Sequence, residues 1–224
     1  MKPVGAMTHT LLAGLLLYAI ADTALAGTGP ESDPNNVYWD DQFTVPGTNG
    51  PVNAMAKDSA GNIYIGGAFA VVGKTAANCV AKWNVATASW SALGTGMNGR
   101  VDHLAVDGSD NLYAAGSFTT AGGLNAKYVA VWNGVTWAAL GSGVGNVADA
   151  LAVDGSGNVY VSYCNNIVKW NGAVWSGLGT SWSFPFVFVY SLAVDGAGNV
   201  YAGGDFTTAG GVTVNRIAKW NGTA

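Results

Sequence analysis

LAVDGSGNVY, residues Leu151–Tyr160, is one of four near-copies of a single phrase, and its repetition decides the fold. MAKDSAGNIY begins at Met55, LAVDGSDNLY at Leu104 and LAVDGAGNVY at Leu192. Each copy joins an apolar run to a second run ending in Tyr through an Asp-to-Asn turn rich in Gly and Ser, which is a β-hairpin signal. Self-similarity at such a period sets the architecture before any motif is weighed, because it separates scaffold positions from unusual ones.

Working outward, each phrase opens a repeat of four short strands: the LAVD run, the NVYAGG run, an IAKW type and a WSALG type. Tyr64–Trp83, Tyr113–Trp132 and Tyr201–Trp220 share one long spacing between the second and third strands, whereas Tyr160–Trp170 is much shorter. Only the third repeat has lost its long loop. Asn133-Gly134 and Asn171-Gly172 sit between the third and fourth strands, and that pair predicts a type I′ hairpin turn. Four antiparallel strands in about 40–50 residues, repeated with short connections, predict an all-β chain folded as a β-propeller of four repeats. The blades fall near 52–100, 101–146, 147–186 and 187–224. Ala and Gly in the first two strands let twisted blades crowd round an axis, while the Trp rings fill the wider gaps between them.

The ends carry different information. Lys2, the apolar run LLAGLLLYAIA and the small residues Ala24 and Ala26 make 1–26 read as a signal peptide, which predicts a protein secreted or held at the cell surface. No later stretch reaches the length of a membrane span. Gly27–Tyr38 is a polar leader with two prolines. The fourth repeat lacks a WSALG strand, and two accounts compete. Either Trp39–Phe43 supplies that strand and closes the ring, or the repeats are a piece of a larger propeller.

Composition narrows the partners. The net charge is −4, a value that loss of Lys2 and Asp22 with the signal leaves unchanged. No basic stripe is present to neutralise phosphates, so a nucleic-acid partner is not expected. Cys79 and Cys164 occupy unmatched repeat positions and are expected as free thiols, although an exported compartment permits a disulfide.

GGDFTTAGG (203–211), AAGSFTTAGG (114–123), IAKWNG (217–222) and WAALGSGV (137–144) resemble the repeats of secreted bacterial β-propeller proteins related to the fungal cell-polarity cortical-marker propeller. The LAVDGSGNVYV core is also similar to NHL-type propeller repeats. The resemblance covers about residues 39–224 and implies an extracellular binding scaffold with no catalytic motif to transfer.

Three groups of residues stand out as candidates. The Asp–Asn turns offer oxygen ligands, but no turn supplies the later Glu of a calcium loop, and the sole Glu of the chain is Glu31. These turns are read as structural, with Asp107 and Asp110 the nearest to an exception. His103 is the one histidine beyond the signal, and with Arg100 and Asp102 it is expected to line an axial pocket if the second repeat reaches one. Trp182–Tyr190, WSFPFVFVY, replaces a Gly-rich connector and reads either as a plug that fills the space left by the short loop after Cys164 or as a contact surface made by Trp182, Phe184, Phe186 and Tyr190. Alternation at Phe184, Phe186 and Phe188 predicts that this side of the segment is buried.

The expectation is therefore an exported, non-enzymatic β-propeller that presents loops to a glycan or protein partner, with no catalytic residue, metal or cofactor assigned. One alternative is a propeller lyase or hydrolase with an axial pocket, weakened by the shortage of Glu and His for acid–base work. Another is a structural fragment of a longer adhesin.

Overall fold

A computed structural model describes residues 47–178 and 188–222. The signal peptide, the leader, strand 39–43, Trp182, Phe184 and Phe186 lie outside the described residues.

Blade one contains β1 (Val52–Lys57), β2 (Ile63–Gly67), β3 (Val71–Val72), β4 (Thr75–Ala76), β5 (Val80–Asn84) and β6 (Ser89–Ala92). Its sheet runs β1-β2-β5-β6, with β3 and β4 forming a small hairpin inside the loop before β5. Blade two repeats this plan with β7 (Val101–Val106), β8 (Leu112–Gly116), β9 (Thr120–Ala121), β10 (Leu124–Asn125), β11 (Val129–Trp132) and β12 (Trp137–Ala139). Blade three keeps only the four sheet strands β13 (Ala150–Val153), β14 (Val159–Tyr163), β15 (Asn166–Trp170) and β16 (Trp175–Gly177). Blade four has β17 (Val189–Val194), β18 (Val200–Gly204), β19 (Thr208–Ala209), β20 (Val212–Thr213) and β21 (Ile217–Trp220). Among the described residues its sheet has three strands, in the order β17-β18-β21. Among the described residues every pairing is antiparallel, and the first strands of successive blades stand beside one another on the inner side.

The hairpin phrase folds because each turn Asp collects the donors around it. In all four blades one carboxylate oxygen accepts the backbone N–H of the Asn four residues on, at 2.8–2.9 Å. The other oxygen accepts that Asn side chain at 2.7–2.9 Å and the Tyr hydroxyl at 3.1–3.3 Å. The Asp of LAVD and the Tyr of NVY are thus one unit, and the turn carries structure.

Small residues let the blades meet. A Cβ added at Gly66 in β2 would press into Val101 and Leu104 of β7, so blade two sits directly on blade one. Three apolar clusters fill the three interfaces. Val80 and Tyr64 meet Val101, Leu112 and Phe118; Val129 and Ala115 meet Val159 and Val161; Ile167 and Tyr160 meet Val189, Val200 and Phe206. Tryptophans tie the outer edge: Trp137 donates its indole N–H to the Leu93 carbonyl of the preceding blade at 2.8 Å, and Trp175 does the same to Leu140 at 2.8 Å. The far face of blade four shows what an interface contributes. Val80 and Val129 are 0% exposed, whereas Ile217 at the same register position in blade four is 66% exposed. Burying such a side chain is worth about 1.5–3 kcal/mol.

Two local expectations are corrected. In the WNGxxW turns, the Asn133 N–H donates to the Thr136 carbonyl and only Gly134 has a positive φ, so Gly134 is the first central residue and the turn is of the II′ kind, not I′. Asn133 instead accepts the N–H groups of Val135 and Thr136 with its side chain. Phe188 is not on a buried side: it is 44% exposed and its neighbour Val189 is 1% exposed. The inward phase is set by Val189, which pairs with Gly204 where β17 begins.

Candidate functional site

The face of the molecule where each blade's first strand begins carries a row of polar residues built by one backbone device. Pairing slips by one residue between Val52 and Ala54 in β1, between Val101 and His103 in β7, and between Val189 and Ser191 in β17. A bulge of this kind bends the strand and re-aims the extra side chain. The extra residues are Asn53, Asp102 and Tyr190. Opposite each stands a glycine, Gly67, Gly116 or Gly204, whose added Cβ would strike the carbonyl of Pro51, Arg100 or Phe188. In blade three Tyr163 takes the glycine's place, β13 pairs without a slip, and Asp149 occupies the matching position just before the strand.

These four positions are linked across the blades. Asn53 Nδ2 donates to Asp102 Oδ1 at 3.0 Å, and Arg100 Nε reaches the same oxygen at 2.6 Å. The next residue, His103, bonds the Asp149 backbone, and burial pushes its imidazole below the usual range against the pull of the Asp102 and Asp149 charges. Asp149 moves the other way. Burial raises its carboxyl, opposed by a bond from the Cys164 backbone and by His103. Its charge in turn reaches Tyr190, whose hydroxyl donates to Asp205 at 2.8 Å and is raised by that bond first. Arg216 lies 3.9 Å from the other Asp205 oxygen. Phe188 stacks nearly parallel on Tyr190, at 6.1 Å and 7°.

Arg100, Asp102, His103 and Tyr190, singled out as two separate groups in the sequence, therefore belong to one rim. Trp182, Phe184 and Phe186 lie outside the described residues. Asn53, Asp149 and Asp205 were missed. A signal existed for the first two: the residue five before each turn Asp is polar or aromatic in every repeat, within strands that are otherwise mostly apolar or small.

One atom of this rim has chemistry left over. Asp149 Oδ2 is buried and has no hydrogen-bond partner among the described residues. A buried carboxylate oxygen without a donor is costly and is retained where something else supplies the donor. Three acidic groups, Asp102, Asp149 and Asp205, with Arg100 and Arg216 at the margins, suit a partner that brings hydroxyl or cationic donors. Among the described residues no cluster of His, Cys, Asp or Glu is arranged to hold a metal ion, and Asp110 spends its carboxylate on Ser59 of blade one. Cys79 and Cys164 are free thiols in different blades, the first half-buried and the second exposed.

Residues 36–185 match the family model of the Rax2 C-terminal beta propeller domain. Among solved structures the chain is similar to the extracellular domain of a putative one-component system from B. thetaiotaomicron, with 11% identity and a TM-score of 0.51 over 75% of this chain and 21% of that one. It is also similar to a putative gluconolactonase, with 16% identity and a TM-score of 0.50 over 74% of this chain and 62% of that one. The chain thus spans less than two thirds of the length of either, and at such identities the likeness shows the fold alone. No curated protein matches the sequence.

Proposed function

We propose that this chain, which belongs to the Rax2 C-terminal β-propeller family, is an exported, non-enzymatic binding scaffold whose rim of Asn53, Asp102, Asp149 and Tyr190 engages a glycan or protein partner. The observation that carries this reading is the buried Asp149 Oδ2, an acceptor that the described residues leave without a donor. A sugar hydroxyl or a lysine or arginine side chain brings the missing proton donor. The exposed Phe188–Tyr190 stack beside it offers a flat apolar surface to the rest of that partner. Export is supported by the apolar leader with small residues at Ala24 and Ala26.

The test is a glycan-array and protein-capture screen of the wild type beside Asp149→Asn and Trp182→Ala. Asp149→Asn is expected to abolish capture of the partner that the rim holds while leaving the melting temperature unchanged or raised, because it removes a buried charge. A screen in which every captured ligand is held equally by wild type and Asp149→Asn would place the binding surface elsewhere. Turnover of any captured sugar, lost on His103→Ala, would make the protein an enzyme.

A further inference from the structure

We propose that a pocket of about 360 Å³ between blades two and three, adjoining the rim at Tyr163 but lined by other side chains than the rim's, is a binding site for a pyranose ring that carries a carboxylate. Its origin lies in the short loop of the third repeat. In blade two the β9–β10 hairpin covers the outer tryptophan: Gly122 sits so close that an added Cβ would be 3.0 Å from Trp137 Cβ, and Trp137 is 3% exposed. Blade three turns directly from Tyr163 to Asn166 through Cys164 and Asn165, and no hairpin follows. The space such a hairpin fills in blade two is the pocket, and the half-buried Trp175 lines it with Tyr163, Val168, Ser142, Gly145 and Lys127.

The lining is suited to a sugar rather than to a replacement peptide. In blade two the hairpin is held by Asn98, whose Oδ1 accepts the N–H groups of Thr119 and Thr120 at 2.8 and 2.9 Å. Gly145 stands at that register position in blade three, so an incoming backbone finds no such acceptor. What the pocket offers is aromatic surface held in place. Trp175 is fixed by its N–H bond to Leu140 and by Trp170 at 5.4 Å, and Tyr163 packs where a Cβ on Gly145 would be 3.1 Å from the ring. Two rigid rings with a few polar groups at the edge are the make-up of a small-ligand site, and the volume is at the lower end for one. Lys127 selects the charge. It is exposed at the rim of the pocket, with no ion-pair partner among the described residues, and its stem is long enough to follow a carboxylate.

Calorimetric titration of the full chain with methyl β-D-glucuronide and with neutral methyl β-D-glucoside tests this. Saturable binding is expected for both, with the glucuronide about threefold tighter at low salt, as for an exposed ion pair. Lys127→Gln should remove that preference. Ser142→Trp, at an exposed loop position, should fill the pocket and abolish both, with folding checked by its melt. Asp149→Asn should change neither, which separates this site from the rim. Absence of saturable glucuronide binding, equal affinity for the two sugars, or indifference to Ser142→Trp would each overturn the assignment.

Discussion

Blades two and three are the same repeat built with and without a hairpin, and most of what separates them lies at one end. At the Asp–Asn turn they superimpose in chemistry: Asp107 and Asp154 each hold an Asn and a Tyr with bonds of the same lengths to within 0.2 Å. At the opposite end nearly everything has changed together. Gly116 becomes Tyr163, the bulge at Asp102 disappears, Asn98 becomes Gly145, and the cover over the outer tryptophan is gone. One face of the propeller is therefore held by a repeated polar unit, while the other is free to vary in concerted steps. Both candidate sites lie on the variable face.

The largest effect should come from the constant face, because every blade responds at once. Burial pushes Asp58, Asp107 and Asp154 up, but their bonds with Asn62, Asn111 and Asn158 outweigh it and hold them below the usual carboxylate range. Asp195, bonded first by Asn199, lies at about 2. A folded pKa below the unfolded value of about 3.9 means that the stabilisation is complete above that pH and is lost as the pH falls towards the folded value. Thermal melts should accordingly lose stability steeply below about pH 4, and a flat profile there would remove the turns from the scaffold.

On the variable face the two blades should part company. Trp137→Ala opens a cavity under an intact hairpin and is expected to cost about 4 kcal/mol, whereas Trp175→Ala, already half-exposed, should cost about 2 kcal/mol. Equal losses in denaturant melts would mean that the hairpin does not seal blade two. The bulge gives a sharper contrast of smaller size. Gly116→Ala drives a Cβ into the Arg100 carbonyl and should cost about 3 kcal/mol; Tyr163→Ala at the same position of blade three should cost about 1 kcal/mol, because no bulge presses on it. A tolerated Gly116→Ala would show that the bulge at Asp102 relaxes easily.

Much of this was readable before the structure because repetition averages out local ambiguity. The four phrases, the shortened third loop and the Ala and Gly of the inner strands locate the blades and their contacts. The rim was read only in part, for a physical reason. A bulge inserts one residue into one strand of a pair, and the signal for it is a glycine on the neighbouring strand, Gly67, Gly116 or Gly204, which in sequence looks like ordinary β-strand glycine. Arg100, Asp102 and His103 stood out because they are charged or titratable, and Tyr190 because it is aromatic. Asp149 did not, since its partners His103 and Tyr190 come from the adjoining blades and are brought to it only by the radial arrangement. The Asn-Gly turns misled for the converse reason: the dipeptide is right for either primed turn, and the four-residue gap between Trp132 and Trp137 selects II′.

The smallest expected effect isolates a difference between the blades that leaves the backbone alone. Lys82, Lys169 and Lys219 lie over the rings of Tyr64, Tyr160 and Tyr201 at 5.0, 5.3 and 5.4 Å, each from the third strand of its own blade. Blade two has Val131 opposite Tyr113 instead, with no ammonium there to favour the phenolate. Burial, the Asp107 charge, the bond to Asp107 and the Asp154 charge then push Tyr113 up to about 12. Val131→Lys should place a cation over Tyr113 and near Asp107, as Lys82 reaches Asp58 at 3.2 Å in blade one. The gain in stability is expected to be about 0.5 kcal/mol, close to the limit of a melt. The tyrosine itself is the better reporter: its ionisation, followed by ultraviolet absorbance, should move to lower pH than in the wild type, since a neighbouring cation favours phenolate. An unmoved titration would mean that the lysines of the other three blades are held over their rings by packing along the stem, and that charge has no part in the repeat.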